Sequence, residues 1–138
     1  MNELEIIANI KKIIKNSSAL KLEDDVFFDK KKNLIASIDT YVENIHYINF
    51  KYPDLIIKKV IRSSISDILC KGANPKYLLI SFSGSKKHFN NKNIKLMIKS
   101  ISEEQKKFNF SLIGGDTTSS LKSSFTICSF SYSKKIIK

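Results

Sequence analysis

The 138-residue chain contains no tryptophan, two prolines, four glycines, two cysteines and a single arginine, Arg62. Each scarcity closes off a class of protein. Cys70 and Cys128 stand far apart in apolar neighbourhoods with no CxxC or Cys/His pattern, which excludes a zinc module and a disulfide scaffold. They read as reduced core thiols. The apolar runs reach four or five residues, against the roughly 20 that a bilayer requires, and the N-terminus carries no signal-peptide core, so the expectation is a cytoplasmic protein that meets no membrane. The few glycines form neither GxxxxGK[ST] nor GxGxxG, which leaves no P-loop or dinucleotide fingerprint to hold phosphates. With two prolines and no repeat or low-complexity block, nothing divides the chain.

Carboxylates are scarce too: 13 acidic residues face 24 basic ones, a formal charge of +11. Such a charge suits nucleic acid, where phosphate neutralisation releases counterions. The near-absence of arginine argues against that reading, since base edges and bidentate phosphate contacts favour the guanidinium. Lysine pairs such as Lys11–Lys12, Lys58–Lys59, Lys86–Lys87 and Lys134–Lys135 are spread along the whole chain. They read as solvated surface, and no nucleic-acid partner is expected.

Periodicity supplies the elements. Leu4, Ile6, Ile7, Ile10, Ile13 and Ile14 recur at helical spacing and predict an amphipathic helix over residues 3–15. Val26 to Phe28 and Leu34 to Ile38 read as a hairpin closed by the turn Lys30–Asn33. Pro53 suits a helix start and Gly72 its end. A strand over 76–82, a helix from Asn91 to Phe108 and strands over 110–113 and 124–132 follow. Phe125 and Ile127 fall on one face of the last strand, Cys128 and Phe130 on the other. Strands and helices without a regular βαβ rhythm give the α+β class, a mixed sheet with flanking helices.

The acidic minority carries the chemistry. Asp39 closes an apolar strand, Asp116 follows Gly114–Gly115 at the end of another, Asp67 lies inside the long helix beside its apolar stripe, and Asp24–Asp25 open the first strand. A carboxylate near a core must be paired, hydrogen-bonded or metal-bound. Shared divalent cations would satisfy the set, and hard oxygen ligands suit Mg²⁺. Ser63, Ser64 and Ser66 leave room beside Asp67 for hydrated ions, and Gly114–Gly115 would let a phosphate approach the backbone.

Read in order, Asp24–Asp25, Ser37-Ile38-Asp39-Thr40, Val42-Glu43-Asn44-Ile45-His46, Ser66-Asp67 leading to Lys71-Gly72-Ala73-Asn74-Pro75, and Gly114-Gly115-Asp116-Thr117-Thr118 resemble the N-terminal half of thiamine-monophosphate kinase. That enzyme belongs to the superfamily of aminoimidazole ribonucleotide synthetase, selenophosphate synthetase and the hydrogenase-maturation dehydratases. The resemblance implies in-line transfer of the γ-phosphoryl group of ATP to thiamine phosphate, with several Mg²⁺ ions bridging the phosphates. By position it makes Asp25, Ser37, Asp39, Asp67 and Asp116 metal ligands, Gly115, Asp116 and Phe108 nucleotide contacts, and His46 a contact to thiamine phosphate. It assigns no role to His88 and no catalytic acid or base, in keeping with phosphoryl transfer, which depends on charge neutralisation and alignment.

Departures accompany the match. Glu23 replaces the family's glycine before Asp24–Asp25, Ile38 replaces a hydroxyl residue, Ser64 an asparagine and Phe108 a tyrosine. The family is about twice as long, so residues 1–138 are expected to form its N-terminal ATP/Mg-binding domain without the C-terminal one, with Lys138 near the inter-domain connection and the sheet pairing with a second copy in a dimeric barrel. Another activity of the superfamily and a non-enzymatic basic binding module remain the alternatives.

Overall fold

The computed structural model describes residues 2–137; Lys138 lies outside the described residues. The elements run α1 (Glu3–Lys11), a 3-10 helix (Ser17–Leu22), β1 (Phe27–Asp29), β2 (Leu34–Val42), α2 (Pro53–Cys70), β3 (Tyr77–Gly84), α3 (Asn91–Phe108), β4 (Ser111–Ser119) and β5 (Ser124–Tyr132). Their five strands form one mixed sheet in the order β1-β2-β5-β3-β4. All neighbours are antiparallel except β3 and β4, which run parallel across α3. The α+β class holds, with one βαβ unit that strand spacing alone does not announce.

Alternation along β5 explains the layering. Phe125, Ile127, Ser129 and Ser131 point to the buried face, while Thr126, Cys128 and Phe130 point to the other and are only half-covered. Helix α2 lies on the buried face and inserts Ile57, Val60, Ile61 and Ile65 against Phe125, Ile127, Leu78 and Ile80. Beside it, α3 adds Met97 and Ile101 to the same cluster. Pro53 occupies the first turn of α2, where its missing N–H costs nothing, and Gly72 ends the helix at φ +82°, a conformation glycine adopts without strain. The lone arginine pins the two helices together. Arg62 Nε and Nη2 donate to Glu104 Oε2 and Oε1 at 2.8 and 2.9 Å, and Glu104 is 1% exposed. A buried carboxylate held by a bidentate guanidinium has its charge matched in place.

Several boundaries differ from the sequence reading. Helix α1 stops at Lys11, and its apolar stripe stays largely in solvent, with Leu4 78% and Ile13 74% exposed. Strand β2 continues past Ile38 to Val42, so Asp39 lies within it, paired opposite Ile127 of β5. Strand β4 runs through Gly114–Gly115 to Ser119, its register shifting opposite Leu78/Leu79. The glycines therefore lie within an edge strand, past the end expected at Ile113, and Ile113 is the extra residue of a bulge. At Gly115 a Cβ would lie 1.8 Å from the Ile80 carbonyl oxygen, so the approach of β4 to β3 requires glycine there. Cys70 ends α2 on its exposed side and is no core thiol; Cys128 is half-buried, and both are free. Among the described residues no helix is long and apolar enough to cross a membrane.

Phe125 is fully buried where α2 meets the sheet, whereas Leu121 is 90% exposed. Phe125→Ala is expected to lower unfolding stability by about 3–5 kcal/mol, and Leu121→Ala by less than about 0.5 kcal/mol, read from urea denaturation midpoints.

Candidate functional site

Strand alternation places Ser37, Asp39 and Tyr41 on the face of β2 that α2 covers, and one turn of α2 brings Asp67 to meet them. The two carboxyl groups, Asp39 and Asp67, lie within hydrogen-bonding reach of each other. Burial holds the Asp67 carboxyl up at about 6, with the charges of Asp39 and Asp25 adding to the effect and Lys71 opposing it. Asp39 is also raised, first by burial and then by the charge of Asp25, against the hydrogen bond with Asp67. Tyr41, bonded to Ser63, is pushed up by burial and by both carboxylates. The nearest cation is already engaged: Lys71 Nζ lies 2.8 Å from Asp24 Oδ1.

Two buried oxygens in this seam, Ser37 Oγ and Asp39 Oδ2, have no hydrogen-bond partner. Buried oxygens are ordinarily satisfied, and Ser37 Oγ and Asp39 Oδ2, beside the Asp67 carboxyl, are oxygens that would suit a cation. Hard oxygens from a few side chains, with space for water, fit Mg²⁺. Among the described residues, no three His, Cys, Asp or Glu side chains converge into a metal-binding group by themselves. Asp25, exposed ahead of β1, contributes its field to the pair without closing that group.

Asp116 stands apart from this set. Asp39 pairs with Ile127, Ile127 with Ile80 and Ile80 with Gly115, so three strand spacings, ~14 Å, separate β2 from β4. Exposed on β4, Asp116 lines a shallow depression of about 270 Å³ with Leu79, Ser81, Thr126 and Cys128, on the sheet face away from α2. The single cluster of four aspartates expected from sequence is thus two separate acidic positions on this chain. Phe108 ends α3, packed against the main core, with the Arg62 guanidinium 5.6 Å above its ring. Ser64 is fully buried and faces Ser129, Oγ to Oγ 3.2 Å. Glu23 is exposed and takes Lys11 at 3.5 Å, in a backbone conformation that needs no glycine.

His46 lies in the segment after β2. Its Nδ1 accepts the Val42 N–H at 2.8 Å, which fixes the neutral tautomer with the proton on Nε2. It lines a cavity of about 520 Å³ with Lys51, Tyr52, Leu55 and Lys59. The Lys59 ammonium donates to the His46 carbonyl and ties this segment to α2.

The anchor of the segment was invisible in sequence. Glu43 Oε1 accepts from His88 Nε2 at 2.8 Å, from Ser123 Oγ at 2.8 Å and from the Ser123 N–H at 3.0 Å. His88 is 1% exposed, and its Nδ1 accepts from the Ser85 N–H at 2.9 Å. Tyr47 OH meets Ser123 Oγ at 2.6 Å, and burial pushes that phenol up to about 12. The Glu43 carboxylate therefore joins three segments through His88 and Ser123, although the lysine-rich surroundings of His88 suggest a solvated loop. Its partner lies 45 residues away, and no local pattern signals such a pairing.

Comparison with known proteins fits this geometry. The AIR synthase related protein N-terminal domain matches residues 21–132. The chain belongs to that family. Among curated AIR synthase related proteins, it is 32% identical over 123 residues to thiamine-monophosphate kinase of Methanocaldococcus jannaschii, covering 85% of this chain and 39% of that protein. To thiamine-monophosphate kinase of Bacillus subtilis it is 36% identical over 86 residues, covering 62% of this chain and 26% of that one. The chain thus spans well under half the length of these relatives. Thiamine monophosphate kinase from Aquifex aeolicus shares the fold, with a TM-score of 0.81 at 19% identity over 99% of this chain and 46% of that one. A structure of AaThiL complexed with AMPPCP and TMP gives 0.86 at 20% identity over 98% and 43%.

Two outcomes follow from the charges. Asp67→Asn removes one of two repelling carboxyls and leaves a donor for Asp39, so the metal-free protein at neutral pH is expected to gain on the order of 1 kcal/mol in thermal unfolding. The Glu43 carboxyl is held below its ordinary 4.5, chiefly by the Ser123 N–H and further by Ser123 Oγ and His88. Because that folded value is depressed, its stabilisation is complete above the unfolded value and disappears as pH falls through the folded one. Glu43→Ala is expected to cost about 1.5–3 kcal/mol at pH 7 and clearly less at pH 3, measured by urea denaturation.

Proposed function

We propose that this chain forms the Mg-ATP-binding half of a thiamine-monophosphate kinase, an ATP-dependent phosphotransferase that makes thiamine diphosphate from thiamine phosphate. The observation that carries the reading is the Asp39–Asp67 pair with the unpartnered Ser37 Oγ and Asp39 Oδ2 beside it. The family match and the names of its relatives support the choice of reaction.

In this reading Asp25, Ser37, Asp39 and Asp67 hold Mg²⁺ at the seam, and Asp116, on the opposite face three strands away, would hold a separate ion. Bound there, the ions supply the positive charge that phosphoryl transfer requires. Gly115, Asp116 and Phe108 contact the nucleotide. His46 offers its Nε2–H to the cavity it shares with Lys51, a donor and an ammonium suited to the phosphate of thiamine phosphate. Glu43, through His88 and Ser123, keeps that segment in place.

We further propose that the chain works in the cytoplasm as a homodimer joined through the open sheet face. Ile38 is 68% exposed there, and all of β4, including Ile113 at 53%, lies uncovered at the sheet edge.

Titration calorimetry with ATP tests the proposal. Binding is expected to require Mg²⁺ and to weaken tenfold or more in Asp39→Asn and Asp67→Asn. A chain that binds no ATP with Mg²⁺, or binds it equally well in both variants, would refute the proposal.

A further inference from the structure

We infer that this chain carries a second anion site, independent of the proposed kinase site, which takes an organic di- or triphosphate without a metal ion. A cleft of about 930 Å³ opens between the 3-10 helix, the β1–β2 turn and the segment after β5. Lys30 and Lys31 stand on the turn side, with Lys134 and Lys135 on the other. Among the described residues none of these four ammonium groups has an ion-pair partner. The acid lining the cleft, Asp29, is turned to other use: its Oδ1 accepts the Lys31 and Lys32 N–H groups at 3.1 and 3.2 Å. Four ammonium groups around one concavity outnumber its single carboxylate, Asp29, and a multiply charged phosphate relieves their mutual repulsion.

The floor of the cleft is apolar and held in place. Leu20, Phe28 and Ile136 pack against the smaller core cluster of Val26, Ile35, Ile68 and Ala73. Leu20, Lys21 and Leu22 hold φ of 51°, 57° and 55°, three consecutive non-glycine residues in the left-handed region. Each such residue costs roughly 1 kcal/mol or more, and surrounding packing must sustain it. Here the strain seats Leu20 beside Phe28. An aromatic and two aliphatic side chains below a ring of lysines suit a ligand with a flat apolar group and a phosphate tail, and the volume lies in the usual range for small-molecule sites.

Register separates this cleft from the Asp39–Asp67 seam. Asp29 pairs with Leu34, and Asp39 lies five residues farther along β2, ~17 Å away. The one carboxylate that lines the cleft, Asp29, has Oδ1 committed to two backbone N–H groups, and the four lysines meet the phosphate charge, so binding is expected to survive chelation.

Calorimetry on the whole chain in EDTA, with ADP as probe, tests the inference. ADP is expected to bind more weakly as salt rises, to lose tenfold or more in Lys30→Gln/Lys134→Gln, and to be unaffected by Asp39→Asn. Since all four lysines are exposed, the double variant should keep its far-ultraviolet circular dichroism. Absence of ADP binding in EDTA, or binding that ignores the lysine substitutions, overturns the site. Inorganic triphosphate binding as tightly as ADP would remove the apolar floor from the recognition. A single-stranded oligonucleotide that displaces ADP at lower concentration would make the cleft a nucleic-acid surface instead. Loss of Mg-dependent ATP binding without change in EDTA would sink the kinase reading alone.

Discussion

Two carboxyl groups are held against each other between a helix and a strand, and the rest of the molecule supplies the force that keeps them there. Asp39 and Asp67 repel, and burial deepens the cost of charging both. What opposes the repulsion is the neighbouring apolar contact of Ile61, Ile65 and Ile68 on α2 with Ile35, Phe125 and Ile127 on the sheet. These side chains are essentially inaccessible to water, and burying each contributes roughly 1.5–3 kcal/mol. A few such contacts outweigh one like-charge pair. The hydrophobic seam thus maintains a polar arrangement that would separate if left to its own electrostatics. A strained, under-satisfied position inside an otherwise consistent fold is where binding energy for a cation can be found.

Elsewhere the same chain satisfies its buried charges thoroughly. Glu104 is closed off by Arg62 with two short bonds, and Glu43 takes three donors from His88 and Ser123. Asp24 meets Lys71. In each case a carboxylate off the surface has a donor geometry built around it, as its desolvation demands. Among the described residues three buried oxygens are left without a hydrogen-bond partner, Asp24 Oδ1, Ser37 Oγ and Asp39 Oδ2, and the last two lie on the face of β2 that α2 covers.

How much of this was legible in the sequence depended on whether the deciding interaction was local. Helices α2 and α3 could be placed nearly to the residue, because Pro53, Gly72 and the 3.6-residue stripes act within one segment. Asp67 stood out because a carboxylate beside an apolar stripe is locally anomalous. Gly114–Gly115 read in sequence as an opening for phosphate after a strand ending at Ile113, while the contact that requires Gly115 comes from the Ile80 carbonyl on another strand. Helix α1 was overextended because its stripe is real but has no surface to cover, so nothing holds residues beyond Lys11 in register. Glu43 and His88 were unreadable, since their meaning exists only once β2 and the start of α3 are neighbours. The motif series did better than periodicity at the seam, ordering Ser37, Asp39 and Asp67 before any geometry was known. It did not convey that Asp116 lies across three strands from them.

The lysine excess divides along a physical line. Lys58, Lys71 and Lys11 are spent on carboxylates, and Lys59 on a backbone carbonyl. Those at the β1–β2 turn and after β5 have no such partner, and the fold brings them together from opposite ends of the sequence. A random spread of lysine over a surface leaves neighbours free to diverge into solvent. Four that share one concavity, above an apolar floor fixed by the smaller core cluster and a strained backbone segment, keep their mutual repulsion. The two ends of this sheet therefore hold opposite unsatisfied fields, negative at the Asp39–Asp67 seam and positive at the hairpin cleft. About 17 Å of strand separates them, well beyond the ~8–10 Å over which dissolved salt leaves charges coupled. Neither field cancels the other.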